Sequence, residues 1–82
     1  MKKYNVTRIF ADGEERKRTL DEVAKEIEND NPKTPVELNS KKTGRVWCGY
    51  IENLRFDLVK DYLSRCVQNI ESDEYGVTIT MR

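Results

Sequence analysis

The stretch NLRFDLVKDYLSRCVQNI, residues 53–70, decides the fold class of this chain. Its apolar residues recur at intervals of three and four, the spacing of one face of an α-helix. Asn53 is a suitable N-cap residue, and Asp57 places an anion in the first turn, where the helix dipole favours negative charge. The sequence therefore predicts a long amphipathic helix. Its apolar face consists of Leu58, Val59, Tyr62, Leu63, Cys66, Val67 and Ile70.

A second helix is predicted earlier in the chain. Residues 19–22, TLDE, form a capping box, in which the Thr19 side chain accepts a hydrogen bond from the backbone of Glu22. Helical geometry is unfavourable for a residue that precedes proline. Asn31 precedes Pro32, so this helix is expected to end by about residue 29. The apolar stripe between these limits consists of Leu20, Val23, Ala24 and Ile27.

Four segments have the composition or the alternation of β-strands. They are residues 4–10, 35–38, 45–51 and 75–82. A fifth segment, residues 15–18, is wholly charged and follows an Asp-Gly turn signal. It is either a loop or the outer arm of a hairpin with residues 4–10, and the sequence leaves both open.

The resulting order is β-α-β-β-α-β within 82 residues, and residues 1–82 are expected to form a single domain. This order predicts an α+β fold, a small two-layer sandwich with two helices on one face of a mainly antiparallel sheet. One arrangement is the ferredoxin-like plait, with its strands in spatial order 4-1-3-2. The other is an edge-hairpin variant, in which residues 4–10 pair with residues 15–18.

Both arrangements leave one face of the sheet without helices. Strict alternation places Val46, Cys48, Val77 and Ile79 against the helices. The uncovered face is then expected to present Arg45, Trp47, Ile51, Thr78 and Thr80. A tryptophan among threonine and arginine on an uncovered sheet is a candidate docking surface. A reversed register would bury Trp47 instead, so its exposure stays open.

The composition argues against several classes of function. Fifteen basic and fifteen acidic residues leave a net charge of zero, without the basic excess of a dedicated duplex-DNA binder. The chain has no histidine, so the commonest general base is missing, and no metal or cofactor site is predicted. The two cysteines, Cys48 and Cys66, are expected to be buried free thiols. The sequence therefore predicts a non-enzymatic protein.

Two basic runs, residues 16–18 and 41–42 with Arg45, are expected at one end of the plait. They would either combine into a cationic rim or, as we favour, be neutralised by the acidic segment 71–74 at the same end and by the nearby Glu14 and Glu15. No apolar run reaches membrane-spanning length, and no secretory signal is visible, so a cytoplasmic location is expected. The core is small, and a homodimer interface is one way to add burial.

These features predict a protein-binding module, a small regulator or inhibitor that docks through the uncovered sheet face or an edge strand. The alternative is single-stranded nucleic-acid binding. In that case the Trp47 ring would stack on a base, while Arg45, Lys41 and Lys42 contact the backbone.

Overall fold

The computed structural model, which describes residues 3–57 and 59–82, contains six β-strands and one α-helix. In chain order they are β1 (Thr7–Ile9), β2 (Glu15–Lys17), α1 (Leu20–Asp30), β3 (Pro35–Ser40), β4 (Gly44–Tyr50), β5 (Val67–Asp73) and β6 (Gly76–Met81). Two short 3₁₀ turns, Ile51–Asn53 and Lys60–Tyr62, lie between β4 and β5. None of the helices in the described part of the chain has the length and apolar character needed to cross a membrane.

The helix α1 follows the prediction closely. The Thr19 side chain accepts a hydrogen bond from the Glu22 backbone N–H at 3.3 Å, which confirms the N-cap. Asn31, the residue before Pro32, is extended and ends the helix. The predicted stripe is buried, and its members Leu20, Val23, Ala24 and Ile27 belong to the hydrophobic core.

The main sheet has four strands in the order β4-β3-β6-β5. The central strands β3 and β6 are parallel, whereas both outer pairs are antiparallel. Alternate residues of the central strands are buried in the same core as α1, as expected for a half-covered sheet. These residues are Val36, Leu38, Val77, Ile79 and Met81.

The helix predicted over residues 53–70 is wrong. The described part of that segment forms isolated turns followed by the edge strand β5. Val67 pairs with Met81 and Asn69 with Thr80, so Gln68 is the extra residue of a β-bulge. The bulge turns Val67 and Ile70 toward the same face at an interval of three, which imitates helical spacing. Leu58, assigned to the predicted apolar face, lies outside the described residues.

Residues 63–67 form backbone hydrogen bonds with the start of α1 and the residues just before it, in place of the hydrogen bonds that they would have formed within a second helix. The carbonyls of Leu63 and Arg65 accept from the backbone N–H groups of Asp21 and Leu20, at 3.0 and 2.9 Å. The Val67 N–H donates to the carbonyl of Arg18 at 2.8 Å instead of to a carbonyl one helical turn back. The segment therefore accepts hydrogen bonds from backbone N–H groups at the start of α1, which have no partner within α1. If the segment were itself a helix, its own N–H groups would occupy these carbonyls.

The fold remains α+β in the broad sense, but the two-helix sandwich is wrong. The described residues form one helix and six strands in two sheets, and no second helix covers the sheet. The predicted strand order 4-1-3-2 is replaced by a sheet in which β3 and β6 are the parallel central pair.

The charged segment 15–18 contributes a strand, which decides between the two possibilities left open by the sequence. β1 and β2 pair antiparallel as a separate two-stranded sheet, and all their residues are exposed. The connecting loop closes with the Phe10 N–H donating to the Glu14 carbonyl at 2.9 Å, and Gly13 has φ +82°. An ion pair between Arg18 and Glu26 links this hairpin to α1.

Candidate functional site

The register of β4 divides the five residues predicted to share the uncovered sheet face. Trp47 pairs with Leu38 and therefore lies on the core face, where it is half-buried and packs against the core. Gly49 lies on the same face, and a Cβ atom there would be 2.8 Å from the Trp47 ring. The indole N–H donates to the Asp57 carboxylate. Ile51 follows β4 in a 3₁₀ turn and is only 1% exposed.

Arg45, Thr78 and Thr80 do lie together on the face opposite the core. We call this the open sheet face. Its residues are Pro35, Glu37 and Asn39 of β3, Arg45, Cys48 and Tyr50 of β4, Asn69, Glu71 and Asp73 of β5, and Gly76, Thr78 and Thr80 of β6. All of them are half-buried or exposed. Arg45 Nε lies 2.7 Å from Glu37 Oε1, so its charge is paired. Cys48, predicted to face the helices, is exposed here.

A groove of ≈ 370 Å³ crosses one end of the open sheet face, and we call it the tyrosine groove. Two exposed aromatic rings line it, Tyr50 at 49% and Tyr75 at 80% exposure. Between the two rings, the bottom of the groove is formed by Pro35 of β3 and Gly76 of β6. Neighbouring strands are about 4.8 Å apart, so Tyr50 and Gly76 are separated by roughly 10 Å.

The turn between β5 and β6 fixes the position of Tyr75. Asp73 Oδ1 accepts hydrogen bonds from the backbone N–H groups of Tyr75 and Gly76, at 2.8 and 3.0 Å. Gly76 has φ +150°, and a Cβ atom at this position would lie 2.4 Å from the Pro35 carbonyl oxygen. The close approach therefore requires glycine. Tyr75 is not among the residues predicted for the uncovered face, although the turn pattern Asp-x-Tyr-Gly at residues 73–76 is a usable signal for its exposure.

The basic runs and the acidic segment 71–74 lie at opposite ends of the sheet, so the predicted neutralisation by that segment is wrong, whereas Glu14 does pair with Arg16 at 2.8 Å. The Lys41 N–H donates to the Met81 carbonyl at 3.0 Å, which places the β3–β4 turn beside the end of β6. The acidic residues 71–74 end β5 and lead into the start of β6. A six-residue strand is roughly 20 Å long, more than two Debye lengths at physiological salt.

A second groove of ≈ 710 Å³ lies at the basic end, and we call it the basic groove. Its lining residues are Lys17, Ser40, Lys42, Thr43, Tyr62, Arg65, Cys66, Gln68 and Arg82. Both cysteines are exposed free thiols, so their predicted burial is wrong. Cys48 lines the tyrosine groove and Cys66 lines the basic groove, which gives each groove its own reporter thiol.

Two ionisable groups outside these grooves have shifted pKa values. Burial, and then the Asp30 carboxylate that accepts from its hydroxyl at 3.1 Å, raise the pKa of Tyr4 to about 12. A hydrogen bond to Glu52 raises the pKa of Lys33. Within residues 3–57 and 59–82, no group of three or more potential ligand side chains is positioned to hold a metal ion.

Comparison of this chain with protein-family models, with curated proteins and with solved structures gives no significant match. Any function must therefore be argued from the grooves themselves.

Proposed function

We propose that this chain is a non-enzymatic protein-binding module, a small regulator or inhibitor that docks a partner in the tyrosine groove. The observation that supports this is the pair of exposed rings, Tyr50 and Tyr75, on either side of a floor built from Pro35 and Gly76. Tyrosine is enriched in protein interfaces because its ring buries a large area while its hydroxyl keeps a polar partner. A groove of this width suits one extended segment of a partner.

The charge of the groove favours a basic segment. Among the described residues, its lining includes the Asp73 carboxylate and that of Glu37, which pairs with Arg45, but no lysine or arginine. Glu71 and Glu74 are exposed on the same strand and turn. Lysine and arginine side chains also lie favourably over tyrosine rings, through their apolar stems and through cation–π attraction. We therefore propose an extended partner segment that combines apolar residues with lysine or arginine.

The residues that we propose to contact a partner therefore differ from the five that the sequence predicts. Arg45, Thr78 and Thr80 remain candidates, because they lie on the open sheet face. Trp47 and Ile51 face the core, and we propose that they support the sheet from behind. Stacking of a nucleic-acid base on Trp47 finds no support in its half-buried position beside Asp57.

We also propose a cytoplasmic location. It is supported by the two exposed cysteines, because free surface thiols persist in reducing compartments.

Selection from a phage-displayed library of random peptides tests the proposal. In the Cys66→Ser variant, Cys48 is the remaining thiol, and a peptide bound in the tyrosine groove should slow its labelling by a thiol reagent. Tyr50→Ser and Tyr75→Ser should each weaken the selected peptides by roughly tenfold or more, as expected for interface hot spots. Phe56→Ser is the matched control, since Phe56 is 85% exposed and lies outside the groove.

Three outcomes would overturn the proposed site. They are a failure to enrich any peptide, equal binding to Tyr75→Ser and the unaltered protein, and unchanged labelling of Cys48 in the presence of peptide. A homodimer through this face would slow Cys48 labelling without peptide, increasingly at higher protein concentration. That result would identify a second copy of the chain as the occupant, in place of a basic segment.

A further inference from the structure

The basic groove concentrates positive charge on a chain whose net charge is zero. Among the residues that the structure describes, four cationic side chains and no aspartate or glutamate line it. They are Lys17 of β2, Lys42 of the β3–β4 turn, Arg65 just before β5 and Arg82 just after β6. The fold therefore brings together cations from four distant parts of the sequence.

These cations are available to a ligand. Among the described residues, Lys17, Lys42 and Arg82 take part in none of the ion pairs. By contrast, Arg16 and Arg18 beside Lys17 in sequence are both paired with glutamates. The Arg65 guanidinium lies over the Tyr62 ring, 4.3 Å from its centroid, and within the described part of the chain it takes part in none of the ion pairs either.

Backbone contacts hold this arrangement in place. The Lys42 N–H donates to the Ser40 hydroxyl at 3.2 Å, and Ser40 is buried at the end of β3. Gly44, with φ +81°, completes the turn that carries Lys42. Val67 is anchored by its hydrogen bond to Arg18, which fixes Arg65 and Cys66 next to the β2 strand. The sheet and its hydrogen bonds therefore fix the positions of the residues that line the groove.

The size of the basic groove and the residues that line it indicate which class of ligand it binds. The groove has a volume of ≈ 710 Å³, far more than one phosphate group needs. Thr43 and Gln68 add neutral hydrogen-bond donors, and the Arg65 guanidinium, held over the Tyr62 ring, adds a planar surface. Several phosphates in a chain together with planar bases match this combination, because single strands bind to cationic grooves and their bases stack on planar side chains, arginine guanidinium groups included. We propose that the basic groove binds single-stranded nucleic acid, chiefly through its phosphodiester backbone.

This inference is independent of the tyrosine groove, which lies at the other end of the sheet. The protein could dock a partner segment and a nucleic-acid strand at the same time. Failure of one proposal leaves the other intact, because Cys48 reports on one groove and Cys66 on the other.

Fluorescence polarisation of a labelled oligothymidylate tests the proposal. If all four cations contact phosphates, affinity should fall about 50-fold between roughly 50 and 200 mM salt, from a slope of about 0.7 per contact. The double variant Lys42→Gln/Arg82→Gln should weaken binding at low salt and reduce that fall to about sevenfold. Lys25→Gln is the matched control, because Lys25 is an exposed helix lysine outside the groove. In the Cys48→Ser variant, the oligonucleotide should slow labelling of Cys66.

The inference is wrong if the oligonucleotide does not bind at low salt, or if Lys25→Gln weakens it as much as the double variant does. It is also wrong if binding leaves Cys66 labelling unchanged. Inorganic polyphosphate of matched charge that competes as well as the oligonucleotide would show a general polyanion site and overturn the nucleic-acid assignment. Tighter binding of the corresponding duplex would overturn the single-strand assignment.

Discussion

Replacement of Gly76 by alanine should be among the most damaging single-methyl changes in this chain. Gly76 begins β6 beside Pro35 of the parallel neighbour β3, and its φ of +150° is a conformation that L-residues rarely adopt. The added Cβ atom would lie 2.4 Å from the Pro35 carbonyl oxygen and 3.1 Å from its carbonyl carbon. Both are backbone atoms, so no side-chain rotation relieves the overlap.

The magnitude combines two costs. A residue forced into such a backbone region loses about 1–3 kcal/mol of stability. Overpacking against a part of the structure that cannot move away costs about 1–3 kcal/mol more. We therefore expect Gly76→Ala to lower the free energy of unfolding by about 2–6 kcal/mol. A chain of this length has about 4–12 kcal/mol in total, so the variant should lose about half of its stability.

Gly13→Ala is the matched control. Gly13 also has a positive φ, +82°, but a Cβ atom there meets nothing within 4 Å. It should lose only the conformational cost of about 1–2 kcal/mol. Urea unfolding of both variants, followed by circular dichroism, measures the difference. If Gly76→Ala is no less stable than Gly13→Ala, then β3 and β6 do not approach as closely as described, and the floor of the tyrosine groove is wrongly placed.

Three further predictions need little more than the purified protein. The doubly anionic thiol reagent DTNB should label Cys66 about tenfold faster than Cys48 at low salt, because the basic groove attracts it, and high salt should remove the difference; equal rates at low salt would contradict the charge separation. The pKa of Tyr4 is raised to about 12, so its contribution to stability is complete below its ordinary value of 10.0 and is lost as pH rises between the two. Tyr4→Phe should therefore show a smaller loss of unfolding free energy over that range, and an unchanged loss would mean that burial and the contact with Asp30 do not raise the pKa of Tyr4. Emission from Trp47 should not change when an oligonucleotide binds, since the ring lies on the core face; strong quenching would favour stacking on Trp47 instead.

Local patterns predicted the parts of the fold that depend on neighbours in sequence. The N-cap at Thr19, the apolar stripe of α1 and the period-two alternation of β6 are all found in the structure. Each of these signals comes from residues that are adjacent in the element they specify. Pairing between distant strands has no such signal, and the parallel contact between β3 and β6 could not be read from the sequence.

A single extra residue in a strand explains the division of the predicted sheet face and one part of the wrong helix prediction, whereas the described residues between 53 and 66 form turns outside any strand. Gln68 interrupts the alternation of β5 and gives Val67 and Ile70 a helix-like interval. Val46 is the extra residue of β4, because Trp47 pairs with Leu38 while Arg45 pairs with the next residue, Asn39. Strict alternation would keep Arg45 and Trp47 on one face, but the bulge separates them. A net charge of zero was similarly uninformative about how the charges are distributed.

The positions of these two bulges also bear on how a partner would bind. The sequence left two routes open, the uncovered face of the sheet and an edge strand. Both extra residues lie in the edge strands, β4 and β5, where a bulge disrupts the regular ladder that an added strand would extend. The open sheet face carries no comparable obstacle, and the exposed tyrosines lie there. Edge interruption and aromatic exposure together favour docking across the face, in the tyrosine groove, over strand addition at either edge.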